Sequence, residues 1–138
     1  MNNLDVFNVA VLEILYRCVD NVPVKVLIKP RTVALDVSNY FDVPDRENEH
    51  SPEMTRIGKI TINTILWLKE EGFINTVGEC LDGSVHATLS MKGLNVINRV
   101  PDSLNETKSF KQLIYEAVPA QSLSGVCSLV NELFQNAS

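Results

Sequence analysis

Arg56, Lys59 and Asn63 recur at three- and four-residue steps, so they share one face if residues 51–71 form a helix. Arginine and asparagine make bidentate hydrogen bonds to guanine and adenine edges, and lysine meets phosphate as a point charge. The same row also suits any solvated helix face, so the spacing admits a DNA-reading helix and a plain surface alike. A second constellation is acidic: between residues 42 and 53 stand Asp42, Asp45, Glu47, Glu49 and Glu53, against Arg46 alone. These carboxylates would suit a basic protein partner. With His50 among them they contain the donor atoms of a metal site. They lack the alternating ligands and central glycine of an EF-hand loop, so a solvated loop without metal is expected.

Other catalytic chemistry has little to work with. His50 and His86 lie far apart, and the chain has no glycine-rich phosphate loop and no local Ser-His-Asp or Cys-His motif. No enzyme and no cofactor are expected. Cys18, Cys80 and Cys127 are odd in number and widely spaced, which suits free thiols in the cytoplasm. No base adjoins Cys80 to activate it.

The elements that must position these residues belong to a chain of 138 residues, 45% hydrophobic and 21% charged, long enough for one well-filled core. Its net charge of −5 disfavours a generic polyanion binder. Of 17 acids and 12 bases, five acids and one base fall between residues 42 and 53, so the acidity is local. No apolar run is long enough to span a membrane, and Met1 to Asp5 carry no basic start of a signal peptide.

Leu4, Phe7, Val11, Ile14, Leu15 and Cys18 predict a first helix with one apolar face, capped by Asn2 or Asn3. Residues 22–28 alternate as a short strand, and Pro30 opens a second helix to about Ser38. The third helix, 51–71, buries Ile57, Ile60, Ile65, Trp67 and Leu68, while Ile62 and Leu66 fall on its other side. A strand follows from Phe73, then a turn with Asp82 and Gly83 at its centre. The return strand puts Val85, Ala87 and Leu89 on one face and His86 and Thr88 on the other, and Ser90 caps a fourth helix. Residues 102–106 read as a polar linker. Two amphipathic stripes follow, Phe110 to Ala117 and Leu123 to Phe134, with Pro119 interrupting.

One phrase narrows this further. Leu66-Trp67-Leu68-Lys69-Glu70-Glu71-Gly72-Phe73-Ile74, a hairpin, and then Leu89-Ser90-Met91-Lys92-Gly93-Leu94 resembles the third helix and wing of bacterial winged-helix proteins. The resemblance implies an α+β, mostly helical fold. A winged-helix domain over residues 1–101 (helix, short strand, two helices, β-hairpin wing, helix) is followed by a C-terminal helical extension over 102–138. It also implies one of two functions. The first is a transcription regulator that binds DNA as a dimer through Arg56, Lys59 and Asn63. The second is a protein-interaction module that engages a basic partner through its acidic loop, with Asp42, Asp45, Glu47 and Glu49, and its wing. The chain departs from a compact helix–turn–helix, because an acidic connection of about a dozen residues separates the second and third helices. The wing, with Glu79 and Asp82 and no base at its tip, would repel phosphate. The C-terminal stripes are expected to cover the Ile62/Leu66 patch or to pair with a second copy in a homodimer.

Overall fold

The computed structural model describes residues 1–101 and 107–137. The elements in chain order are α1 (Asn3–Cys18), β1 (Val26–Ile28), α2 (Pro30–Ser38), α3 (Pro52–Glu70), β2 (Ile74–Val77), β3 (Val85–Leu89), α4 (Met91–Ile97), α5 (Phe110–Ala120) and α6 (Leu123–Asn136). They make an α+β fold, mostly helical, with one three-stranded antiparallel sheet. The linker reading at 102–106 lies outside the described residues. No helix among the described residues is long and apolar enough to cross a membrane.

Local chemistry places the helix starts. Asn2 Oδ1 accepts a hydrogen bond from Leu4 N at 2.7 Å, and Ser51 Oγ accepts one from Met54 N at 3.3 Å. Both satisfy backbone donors that a first turn leaves unpaired. Pro30 and Pro52 open α2 and α3, where no donor is missed.

The sheet order is β1-β3-β2, with Leu27 opposite His86 and Val77 opposite His86 across the two pairings. The turn between β2 and β3 differs in register from expectation. Gly83 N donates to Cys80 O at 3.0 Å and Cys80 N to Ser84 O at 2.9 Å, so Leu81 and Asp82 occupy the centre. Gly83 follows with φ of +84° and Asp82 keeps a negative φ. This is a three-residue loop with a glycine bulge rather than a two-residue primed turn, and only one residue must adopt the left-handed conformation. Thr88, expected on the open face of β3, is buried, and its hydroxyl has no hydrogen-bond partner.

The Leu89-Ser90-Met91-Lys92-Gly93 phrase has a physical basis in the junction of the β2–β3 hairpin with α4. Ser90 N donates to Phe73 O at 3.0 Å, and Ser90 Oγ donates to Gly72 O. Lys92 Nζ donates to Glu71 O at 2.9 Å and sits 4.5 Å above the Phe73 ring. A Cβ at Gly93 would stand 2.2 Å from Phe73 O, so only glycine lets α4 come this close.

α1 departs most from expectation. It is buried nearly all round: Val6, Val9, Ala10, Val11, Leu12, Ile14 and Leu15 are closed to solvent, while Leu4 is 61% exposed. The reason is that α2, α3, α5 and α6 all pack on it. Phe110, Ile114, Val126, Val130 and Leu133 from the C-terminal helices join its core. Phe134 lies 5.2 Å from Trp67 and 5.5 Å from Phe73, ring centre to ring centre. The C-terminal helices therefore cover α1 and α4, and leave the Ile62/Leu66 patch open. Both side chains are 37% exposed. The expectation that the tail would cover that patch is corrected: its buried side chains close over α1 and α4 instead.

One polar network is built into this core. Glu13 is 4% exposed and meets Arg17 Nη1 at 3.0 Å, and Tyr40 Oη donates to Glu13 Oε2 at 3.2 Å. Arg17 also holds Asp36 on α2. Burial, and then the neighbouring Glu13 charge, push the Tyr40 hydroxyl well above its ordinary pKa. The network fixes the start of the acidic connection against α1.

Candidate interaction surface

α3 presents Thr55, Arg56, Lys59, Ile62, Asn63, Leu66 and Glu70 to the outside. Arg56, Lys59 and Asn63 therefore do share an exposed face, but two of them are already engaged. Arg56 Nε donates to Asn3 Oδ1 at 2.8 Å, with Nη2 on the same oxygen, and Asn63 Nδ2 donates to Lys59 O at 2.9 Å. The three line a cleft of about 670 Å³ between α1 and α3, whose walls include Leu4, Phe7 and Trp67. Among the described residues Lys59 makes no ion pair.

On the other flank of α3 lies a larger groove, about 740 Å³, walled by α2, by the acidic connection and by α3 itself. Its floor is apolar: Ala34 and Leu35 from α2, and Met54, Gly58 and Ile62 from α3. Met54, Gly58 and Ile62 are spaced four apart, so they stack along one line of the helix. An added Cβ at Gly58 would meet nothing within 4 Å, which leaves an open socket in the floor. The rim carries Arg46, Glu47, Glu49 and His50 from the connection, Arg31 from α2, Lys59 from α3 and Asp82 from the β2–β3 turn, so its formal charges balance.

The acidic connection has a defined path. Asp45 takes a φ of +53° in a turn closed by Asn48 N on Asp45 O at 3.0 Å. Asn48 Oδ1 then accepts from His50 N at 3.0 Å, and Ser51 caps α3. This path swings Glu49 toward α2, where Arg31 Nε meets its carboxylate at 3.2 Å and His50 Nε2 stands 3.7 Å away. Of the four predicted acids, Glu47 and Glu49 line the groove, whereas Asp42 and Asp45 are exposed outside it. The hydrogen bond from Ser84 N holds the Asp82 carboxyl below its ordinary pKa, so the β2–β3 turn brings a firm negative charge to the rim.

Among the described residues no group of three or more His, Cys, Asp and Glu is arranged to hold a metal ion. His86 lies on the open sheet face, between Leu27 and Val77, away from both clefts. The floor residues Leu35 and Gly58 were not singled out from sequence. A glycine in the middle of an otherwise apolar-periodic helix was the signal, because it costs that helix about 1 kcal/mol and asks for a local reason. No protein-family model matches the chain, and neither a curated protein nor a solved structure does.

Proposed function

We propose that residues 1–101 are a winged-helix-type domain, completed by a C-terminal helical extension, that acts as a non-catalytic protein-interaction module through the groove beside α3. The element order, the β1-β3-β2 sheet and the hairpin that follows the third helix support the winged-helix assignment. The observation that carries the interaction reading is the apolar floor at Leu35, Gly58 and Ile62, which lies under a rim of mixed charge, Glu47, Glu49 and Asp82 against Arg31, Arg46 and Lys59. A duplex approaching α3 would meet Glu47, Glu49 and Asp82 together with Arg31, Arg46 and Lys59, so the groove offers no excess of positive charge to phosphate, whose contacts supply most non-specific affinity. A peptide with apolar side chains gains by covering the floor and needs no excess of positive charge.

The test is selection of a displayed random-peptide library on the intact protein. Peptides should enrich on the wild type and be lost on Ile62→Glu, which charges the floor without touching the core. Failure of any sequence to enrich, or equal enrichment on both proteins, would refute the reading.

A second reading, a DNA-binding regulator acting as a dimer, draws on the exposure of Arg56, Lys59 and Asn63 on one helix face. It predicts retention on DNA that weakens steeply with salt, with the log–log slope falling by about 0.9 for each phosphate contact removed.

A further inference from the structure

We infer that the cleft between α1 and α3 binds a small amphipathic organic acid, its apolar body against Leu4, Phe7 and Trp67 and its carboxylate on Arg56 and Lys59. This site lies on the other flank of α3 from the groove above and does not depend on the interaction reading.

Charge selects the head group. Arg56 and Lys59 are exposed and line the cleft, and no Asp or Glu lines it. Neither base makes an ion pair among the described residues. Asp5, the acid in the first turn of α1, accepts a hydrogen bond from Cys127 Sγ on α6 at 3.5 Å and is not part of the lining. On α3, Glu53 precedes Arg56 by one turn and Glu70 follows Trp67 by one turn, and both stand outside the lining. Two positive charges therefore share one space with no counter-charge in its walls.

Arg56 is also oriented. Its Nε and Nη2 donate to the same oxygen, Asn3 Oδ1. That partner is neutral, so it fixes the guanidinium without cancelling its charge. Nη1 and the second N–H of Nη2 are left for another acceptor, and together they make a fork that matches the two oxygens of a carboxylate.

The floor selects the body. α1 is closed to solvent along most of its length, yet Leu4 is 61% exposed. Trp67 lines the same cleft, with Phe7 edge-on at 5.1 Å and Phe73 stacked at 6.2 Å, ring centre to ring centre. This aromatic wall is ordered before any ligand arrives, so covering it costs little side-chain freedom. A volume of about 670 Å³ falls among clefts that take small molecules, about 300–1,000 Å³. A bare anion would use the two bases and leave Leu4 and Trp67 in water. An uncharged apolar molecule would leave the bases unmatched. A ligand that joins a carboxylate to an apolar body uses the whole cleft.

The experiment is calorimetric titration of the full chain with phenylbutyrate, phenylbutanol, phenylbutylamine and inorganic phosphate, followed in parallel by tryptophan emission. Trp67 is the only tryptophan of the chain, so its emission reports whether the bound molecule sits in this cleft. Phenylbutyrate should saturate one site, change the Trp67 emission, and bind about tenfold or more tighter than each of the other three at low salt. Arg56→Gln and Lys59→Gln should each weaken phenylbutyrate about fivefold or more and leave phenylbutanol unchanged. Leu4→Ser should weaken both, and Leu35→Glu, in the groove on the other flank, neither. Circular dichroism melts verify that the variants remain folded.

Equal or tighter binding of phenylbutanol or phenylbutylamine would overturn the inference, as would phosphate binding as tightly as phenylbutyrate, which would make this a site for any anion. Wild-type affinity in both Arg56→Gln and Lys59→Gln, binding that leaves the Trp67 emission unchanged, or no saturation by phenylbutyrate below about 10 mM would overturn it too.

Discussion

Replacing glycine by alanine should have opposite signs at two helix positions. By helix propensity alone both changes stabilise, by about 0.5–1 kcal/mol, since alanine loses less backbone freedom on folding. At Gly58 the structure leaves that gain intact, because nothing stands within 4 Å of the new Cβ. At Gly93 the new Cβ would stand 2.2 Å from Phe73 O, an immovable backbone atom that also accepts from Ser90 N at 3.0 Å. Overpacking of this kind costs about 1–3 kcal/mol, and loss of the Ser90 hydrogen bond adds about 1 kcal/mol. The clash outweighs propensity, for a net loss of about 2 kcal/mol at Gly93. For a chain this long, each kcal/mol moves Tm by about 3–5 °C. Gly93→Ala should therefore melt about 5–10 °C lower and Gly58→Ala about 2–4 °C higher, read by circular dichroism and checked by urea midpoints. A Gly93→Ala protein as stable as the wild type would refute the close approach of α4 to the wing.

Arg17→Met should destabilise by about 3 kcal/mol, because it strands the buried Glu13 carboxylate, and adding Glu13→Gln should restore much of the loss in urea titrations. Ending the chain after residue 107 removes five fully buried side chains, worth about 2 kcal/mol each, from Phe110 to Leu133. That rivals the whole net stability of a domain, so the shortened chain should show no cooperative melt. Burial pushes the Cys18 thiol up to about 11, while Cys80 is exposed. At pH 8 a thiol reagent should therefore label Cys80 promptly and Cys18 only on unfolding. Tyr115 is raised to about 12 by desolvation and by its hydrogen bond to Asp20. Its contribution is fully present below pH 10 and is lost as pH rises through about 12, which an ultraviolet tyrosinate titration tracks against stability.

Much of the fold is visible in the residue pattern because local rules act at each boundary. Pro30, Pro52 and Ser90 start helices where cap and proline chemistry place them, and α2 ends at Ser38 as expected. Two features escaped for the same reason, that they depend on which surfaces meet. The stripe on α1 predicted one buried face. Its remaining residues, Val6, Val9, Ala10 and Leu12, are closed by helices far along the chain, which local periodicity does not register. The groove draws Leu35, Glu47, Gly58 and Asp82 from four separate segments, so no single window of sequence contains it. Its parts were legible one by one: Ile62 and Leu66 as surplus apolar residues, and the 42–53 acids as a local charge. Their assembly was not. The wing turn slipped by one residue because Asp-Gly suits two turn types, and a glycine bulge places positive φ on Gly83 alone.

Amide chemical-shift mapping during titration with a display-selected peptide shows whether the surface beside α3 docks a partner polypeptide, as proposed. Saturable shifts are expected, confined to residues 31–35, 45–50, 54–63 and the β2–β3 turn at Asp82, and absent in Ile62→Glu. Shifts centred instead on α5 and α6, or on the open sheet face around Leu27, His86 and Val77, would contradict it.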